Sequence, residues 1–367
     1  MRAEGREPID LTESNPWRCE LSYPTEAIQR ALAAGADGYA PEALGLGEAR
    51  RAVCRYVADH GARVDERQVV ITSSTSEAYA FLFKLLCEPG DDVLVPAPSY
   101  PLFEYLTGLE SVEGRSYPLA FDGGWHLEPG AVADVAGRRT RAVLLMSPGN
   151  PTGAFLKRAE LAGLQTLCAE NEWALICDEV FADYGHGADG ERVRTVLAHE
   201  ASALTFAVSG LSKVAGLPQH KLAWLVSAGP QALVDEAMGR LELISDTFLS
   251  VGTPVQRALP ELLGLAPGLQ RQIRERVQEN RARLLAVRPA DAPWSILPAE
   301  GGWYAVLRVG REPGEEERCL ALLEAGVHVH PGYFFDFPTP GFLVVSLLPP
   351  PDAFARGAKA LAEGLAR

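Results

Sequence analysis

Four short segments of this 367-residue chain combine residue types that could do chemistry. Ser73–Ser76 (SSTS) is a run of small hydroxyl residues between a strand-like run and a helical one. Free backbone N–H groups, the positive end of a helix and several hydroxyls together make a cup for a phosphate. Ordinary helix N-capping accounts for the same residue types. Ser147–Gly153 (SPGNPTG) places two X-Pro bonds within five residues, a rigid turn open to cis geometry that presents the amide of Asn150. In Ile176–Val180 (ICDEV) an apolar strand ends in two acids, and a partly buried Asp178 there calls for a cationic partner. A structural ion pair would satisfy that demand as well. Ser209–Lys213 (SGLSK) ends another apolar strand with a lysine among small residues, out of pattern for a solvated lysine. Lys84 is the contrast, on the polar side of a helix with Glu88 four residues on.

These segments need a scaffold that brings strand ends together. From about residue 69 the chain alternates short β-rich runs with helical ones. Gln68–Thr72, Asp92–Val95, Ala142–Met146, Ala174–Cys177, Leu204–Val208 and Leu222–Val226 read as strands. Several are apolar on both faces, as central strands of a covered, mostly parallel sheet are. Ala78, Phe81, Leu82, Leu85 and Leu86 recur at helical spacing up to Pro89-Gly90, and Lys157–Glu170 is a second helix. The expected class is α/β, in which ligands bind at the carboxyl ends of the strands. Around Pro267 the texture changes. Gly268–Arg288 reads as one long charged helix, followed by strands at Tyr304–Val309, Val327–His330 and Phe342–Leu347, with helices at Glu315–Ala325 and the C-terminus. This gives a large domain over 36–267 and a smaller α+β domain formed by 1–35 and 268–367.

Composition narrows the function classes. Lys+Arg is 34 against Asp+Glu 48, a net charge of −14, and only five of the cations are lysines. An acidic, lysine-poor chain argues against nucleic acid or an anionic membrane as partner. No apolar run approaches the roughly 20 residues of a membrane span, and the N-terminal MRAEGREPIDLTESNPW has no signal-like stretch. Six scattered cysteines without a CxxC pair read as reduced thiols, and the expected location is the cytoplasm. His328 and His330 alternate on a strand, with no third ligand evident in the sequence.

A phosphate cup, a presented amide, a buried acid and an isolated lysine, in this order, resemble fold-type I pyridoxal phosphate (PLP) enzymes, and among them class I/II aminotransferases. The resemblance spans nearly the whole chain and rests on NPTG, the DE pair at a strand end, and Ser-Lys followed eight residues later by Lys221. It implies that Lys213 forms a Schiff base with the cofactor aldehyde and then shuttles a proton. It implies that Asp178 pairs with the pyridine nitrogen, Asn150 bonds the ring oxygen, and Tyr100 stacks on the ring. Ser74, Thr75, Ser76, Ser212 and Lys221 would hold the phosphate. Tyr39 resembles the tyrosine that reaches the phosphate of a neighbouring subunit, which implies a homodimer.

The chain departs from that pattern at four positions. Phe181 stands where a tyrosine usually bonds the ring oxygen, Lys221 replaces an arginine, and Gly210 replaces a hydroxyl residue. The fourth is Val344, in Phe342–Leu347, where the arginine that clamps the substrate α-carboxylate would fall. Arg18, in Ser14–Arg18 with Asn15, is the substitute the sequence offers, because the N-terminal segment of these enzymes closes over substrate. The expected activity is transfer of an amino group between an amino acid and a 2-oxo acid. The alternative is another PLP reaction (lyase, decarboxylase or cyclase) on the same fold, since fold and lysine alone do not select the bond broken.

Overall fold

The computed structural model describes residues 7–187, 190–249 and 251–366, so the first six residues of the N-terminal stretch read above lie outside it. Its largest element is a seven-stranded sheet. The strands are β1 (Val69–Thr72), β2 (Asp92–Ala97), β3 (Glu113–Pro118), β4 (Thr140–Met146), β5 (Ala174–Asp178), β6 (Thr205–Gly210) and β7 (Ala223–Ala228), in the order β1-β7-β6-β5-β4-β2-β3. All neighbours run parallel except β7, which is antiparallel to both β1 and β6. Every residue of β1, β2 and β5 is buried, because helices cover both faces. Register sets Met146 beside Asp178, and Asp178 beside Val208, so three strand ends present their last residues at one level.

β3 has the sequence EGRSYP and buries only Tyr117, so as an edge strand it lacks the apolar signature of its neighbours. The long helix starts earlier than its sequence suggests, running from Thr253 to Val287 through Pro260 and Pro267. An interior proline removes a helical hydrogen bond. Here burial of Leu259, Leu262, Ala266, Leu269 and Ile273 along one side holds the helix together across both.

A second, four-stranded antiparallel sheet is built from β8 (Ser295–Ile296), β9 (Tyr304–Arg308), β10 (His330–Pro331) and β11 (Phe342–Ser346), in the order β8-β9-β11-β10. The N-terminal segment divides between two cores. Ile9–Asp10 pairs in parallel with Val327–His328, and Leu11 joins the core of this smaller sheet. Helix Thr25–Ala34 instead packs Ile28 and Ala31 with Val69 and Ile71 of the large sheet. All six cysteines are free thiols, and among the described residues no helix is long and apolar enough to cross a membrane.

Candidate active site

At the carboxyl ends of β1, β4, β5 and β6 the structure opens a cavity of about 310 Å³. Lys213, Asp178, Asn150, Tyr100 and Phe181 line it. So do Ser74, Thr75, Ser76, Ser212 and Lys221, which leaves Tyr39 as the one residue assigned to the cofactor that is not in its wall. Ser14, Met146, Val180 and Tyr304 supply much of the remaining wall.

Each group is held by its element. Ser74 caps helix Thr75–Leu86, its Oγ accepting the Glu77 N–H at 3.1 Å, while the Glu77 carboxylate accepts the Ser73 N–H at 2.6 Å. Capping and anion binding are therefore compatible. The cap uses an acceptor lone pair of Ser74, and the first-turn N–H groups of Thr75 and Ser76 lack helical acceptors. Lys221 reaches the same region from a left-handed backbone position, φ 46°, at the end of the turn Pro218–His220. The Ser147–Pro148 and Asn150–Pro151 bonds are both cis, as is Ala97–Pro98 just ahead of Tyr100. Gly153 closes that loop against the smaller sheet. A Cβ there would lie 2.4 Å from the Gly301 carbonyl oxygen, so only glycine fits.

Asp178 is buried at the end of β5, where its Oδ2 accepts the Tyr79 hydroxyl at 2.6 Å and its Oδ1 accepts the Val180 N–H at 3.0 Å. Burial pushes its carboxyl up to about 6, while those two hydrogen bonds and the charge of Lys213 pull the other way. Lys213 sits in the short helix Leu211–Val214 directly after β6, with its backbone carbonyl accepting the Tyr184 hydroxyl at 2.6 Å. Its Nζ lies 5.1 Å from the ring centre of Trp303 and 5.7 Å from that of Phe181. Burial holds the amine down at about 8, and the Asp178 charge opposes that shift. Tyr79, Tyr184 and Ser14 were not singled out by the sequence. Tyr79 had one signal: it stands four residues after Thr75, one helical turn beneath the cup.

Other assigned residues lie elsewhere. Tyr39 is exposed and does not line the cavity of its own chain. Asn15 uses its side-chain oxygen to cap the turn Pro16–Arg18, accepting the Trp17 N–H at 3.1 Å. Arg18 is largely exposed, with its guanidinium 3.4 Å from Glu13, and it does not line the cavity either. Val344 is fully buried between Val306 and His330, packed with Trp125, Phe335, Phe337 and Phe342. Aromatic side chains therefore fill the surroundings of that position. The glycine at position 210 also has a packing cause, since a Cβ there would meet the Cβ of Ala223 at 2.8 Å. Lys157 pairs with Glu300 beside the NPTG loop, and Lys84 pairs with Glu110 rather than Glu88.

A sequence model of aminotransferases of class I and II matches residues 8–361. The chain belongs to this family. It is 29% identical over 343 residues to the aspartate/prephenate aminotransferase of Thermus thermophilus, covering 91% of this chain and 86% of that protein. It is 27% identical over 367 residues to the alanine aminotransferase of Mycobacterium tuberculosis, covering 95% and 83%. Its fold superposes on the alanine aminotransferase of Pyrococcus furiosus with a TM-score of 0.87 at 24% identity, over 99% of this chain and 94% of that one. The protein is thus an aminotransferase on the fold-type I scaffold, and the lyase, decarboxylase or cyclase alternative is not favoured.

Members of this family use pyridoxal 5′-phosphate. The residues present fit that group on one independent observation: Asn150 is buried, lines the cavity, and its Oδ1 has no hydrogen-bond partner among the described residues. An unpaired buried amide costs about 1–3 kcal/mol, and because its oxygen and NH2 occupy near-equivalent places, a half-turn of the side chain would offer the NH2 as donor to a ring oxygen in the cavity.

Proposed function

We propose that this aminotransferase moves an amino group between an amino acid and a 2-oxo acid, with pyridoxal 5′-phosphate held in the cavity around Lys213. The observation that carries the reading is the convergence of a half-buried lysine, a buried aspartate and an unpaired amide on one cavity whose far side is a hydroxyl-rich helix start. Lys213 would hold the cofactor covalently. With its amine near 8 rather than 10.5, roughly a quarter is neutral at pH 7.5, against about one part in a thousand for an unperturbed lysine. Asp178 would face the ring nitrogen, its ionised form kept available by Tyr79 and Val180. Asn150 would bond the ring oxygen, Tyr100 would cover the ring, and Ser74, Thr75, Ser76, Ser212 and Lys221 would hold the phosphate. When bound, the cofactor supplies the electron sink that acidifies the C–H of the amino carbon. Lys213, freed by the incoming amine, would then take that proton on Nζ and return it to the carbon on the other side of the shared nitrogen.

The active unit would be a homodimer in the cytoplasm. Tyr39, Leu109, Leu243 and Leu249 are each more than 70% exposed in the single chain, an apolar load that a subunit interface would cover. Tyr39 would then reach the phosphate of the neighbouring site. Arg18 would anchor the substrate carboxylate only after release from Glu13.

The test is a half-reaction. The cofactor-loaded protein is mixed with single amino acids, and the products are separated. Conversion of bound cofactor to pyridoxamine 5′-phosphate with release of the matching 2-oxo acid supports the reading. Release of pyruvate and ammonia, or of carbon dioxide, contradicts it.

A further inference from the structure

Directly behind Asp178 lies a second group of buried acids and bases for which the transfer reaction has no assigned use. Glu179, the next residue, is buried, and its Oε1 accepts the Val196 N–H at 2.7 Å. Its carboxyl also receives hydrogen bonds from Thr195 and from the Cys177 thiol. Facing it from helix Gly47–Asp59 and the residue that follows are Tyr56 and His60. His60 Nε2 lies 3.0 Å from Asp183 Oδ1, and Tyr56 donates to Asp183 Oδ2 at 3.0 Å. His60 Nδ1 is fixed 2.8 Å from the Tyr56 carbonyl. Arg194 bears on His60, and Arg274 donates to the Asp183 carbonyl at 3.1 Å. β6 and β7 contribute Ser209 and Trp224, and the Ser209 hydroxyl has no partner among the described residues.

The space these groups share is about 10 Å³, room for one water at most, so bulk solvent does not screen them. Two consequences follow. Asp183 and Tyr56 favour the charged form of His60 and outweigh its burial, so its pKa is raised. Burial pushes Glu179 up to about 7; its own hydrogen bonds and the His60 charge pull it down, and the Asp178 charge raises it further. Ionised Glu179 and ionised Asp178 therefore repel each other across one strand end. A cation placed against Asp178 relieves that repulsion. By reciprocity, such a cation binds more tightly once Glu179 is ionised.

We propose that Glu179 is a positioning residue for cofactor binding, its carboxylate reinforcing Asp178 as the counter-charge of the cofactor's ring nitrogen, with His60 setting the pH at which that reinforcement appears. The inference rests on the reading of the cavity as a pyridoxal phosphate site. The sign is fixed: affinity weakens as pH falls and Glu179 takes up its proton, over and above any dependence from Asp178, Lys213 or the phosphate. The expected reinforcement is about tenfold in affinity between fully protonated and fully ionised Glu179, the order of a charge–charge interaction at an effective dielectric near 20.

The test titrates the cofactor-free full chain with pyridoxal 5′-phosphate from pH 5.5 to 8.5, following tryptophan fluorescence, in the wild type and in Glu179→Gln. The ratio of wild-type to Glu179→Gln dissociation constants is expected to fall about fivefold between pH 6 and pH 8. Inorganic phosphate, which has no ring nitrogen, should give a flat ratio. His60→Asn, which removes the cation that helps Glu179 ionise, should move the wild-type transition to higher pH. This second variant carries the test if Glu179→Gln does not fold. A pyridoxal phosphate ratio constant within about twofold, or a transition unmoved in His60→Asn, overturns the inference alone. Failure of the wild type to take up the cofactor at any pH overturns the site assignment and the inference with it.

Discussion

Replacing Tyr79 by phenylalanine removes one hydroxyl and nothing else from the support of Asp178. The hydroxyl donates to Oδ2 at 2.6 Å inside a fully buried setting, leaving Asp178 with the Val180 N–H alone. A hydrogen bond to a charged group contributes about 1.5–3 kcal/mol, and one pKa unit corresponds to about 1.4 kcal/mol. Because the bond favours the ionised carboxylate, its loss raises the Asp178 carboxyl from about 6 by roughly one to two units. At pH 7 the ionised fraction then drops from about nine-tenths to between a half and a tenth. Cofactor affinity at pH 7 should fall roughly twofold to tenfold, and the two proteins should converge near pH 9, where both carboxyls are ionised. The assay is equilibrium titration of the cofactor-free protein with pyridoxal 5′-phosphate across pH 5–9. Superimposable profiles would refute the reasoning. A uniform loss at every pH would also refute it, since that would make the hydroxyl a packing group rather than a support for charge.

Three further substitutions probe the surrounding structure. Val344→Arg should not restore a carboxylate clamp. It would bury a cation among Trp125, Phe335 and Phe337, and thermal melting should drop by roughly 5 °C or more, whereas wild-type melting with tighter amino acid binding would show that position 344 faces the cavity. Gly153→Ala should destabilise by about 2 kcal/mol or more, because φ is +70° and the new Cβ would meet the Gly301 carbonyl; an unchanged melting curve contradicts this. Arg18→Ala should raise KM for amino donors about tenfold or more while leaving cofactor absorbance intact, and an unchanged KM removes Arg18 as the anchor.

The sheet and the core of the site were legible because both depend on short segments. β4, β5, β6 and β7 are apolar on both faces, and each chemically unusual junction lies within seven residues of a strand end. What stayed hidden depends on partners far along the chain. Tyr79 meets Asp178 across 99 residues, and His60 meets Asp183 across 123. Neither pairing leaves a local pattern, since a tyrosine on a helix reads as core and a histidine after one reads as solvated. The pairing of Lys157 with Glu300, 143 residues away, is hidden for the same reason. The edge strand β3 carries no apolar pattern because an edge needs little apolar sequence, and the start of the long helix is masked by two prolines that its stripe of buried leucines overrides.

The central claim is that Lys213 carries the cofactor. Borohydride reduction of the protein after incubation with pyridoxal 5′-phosphate fixes the cofactor to whichever lysine holds it, and peptide mass mapping identifies that residue among the five in the chain. The label is expected on Lys213, with Lys213→Ala unlabelled and lacking the cofactor's near-visible absorption. Label on Lys221 or another lysine, or a labelled Lys213→Ala protein, would contradict the account.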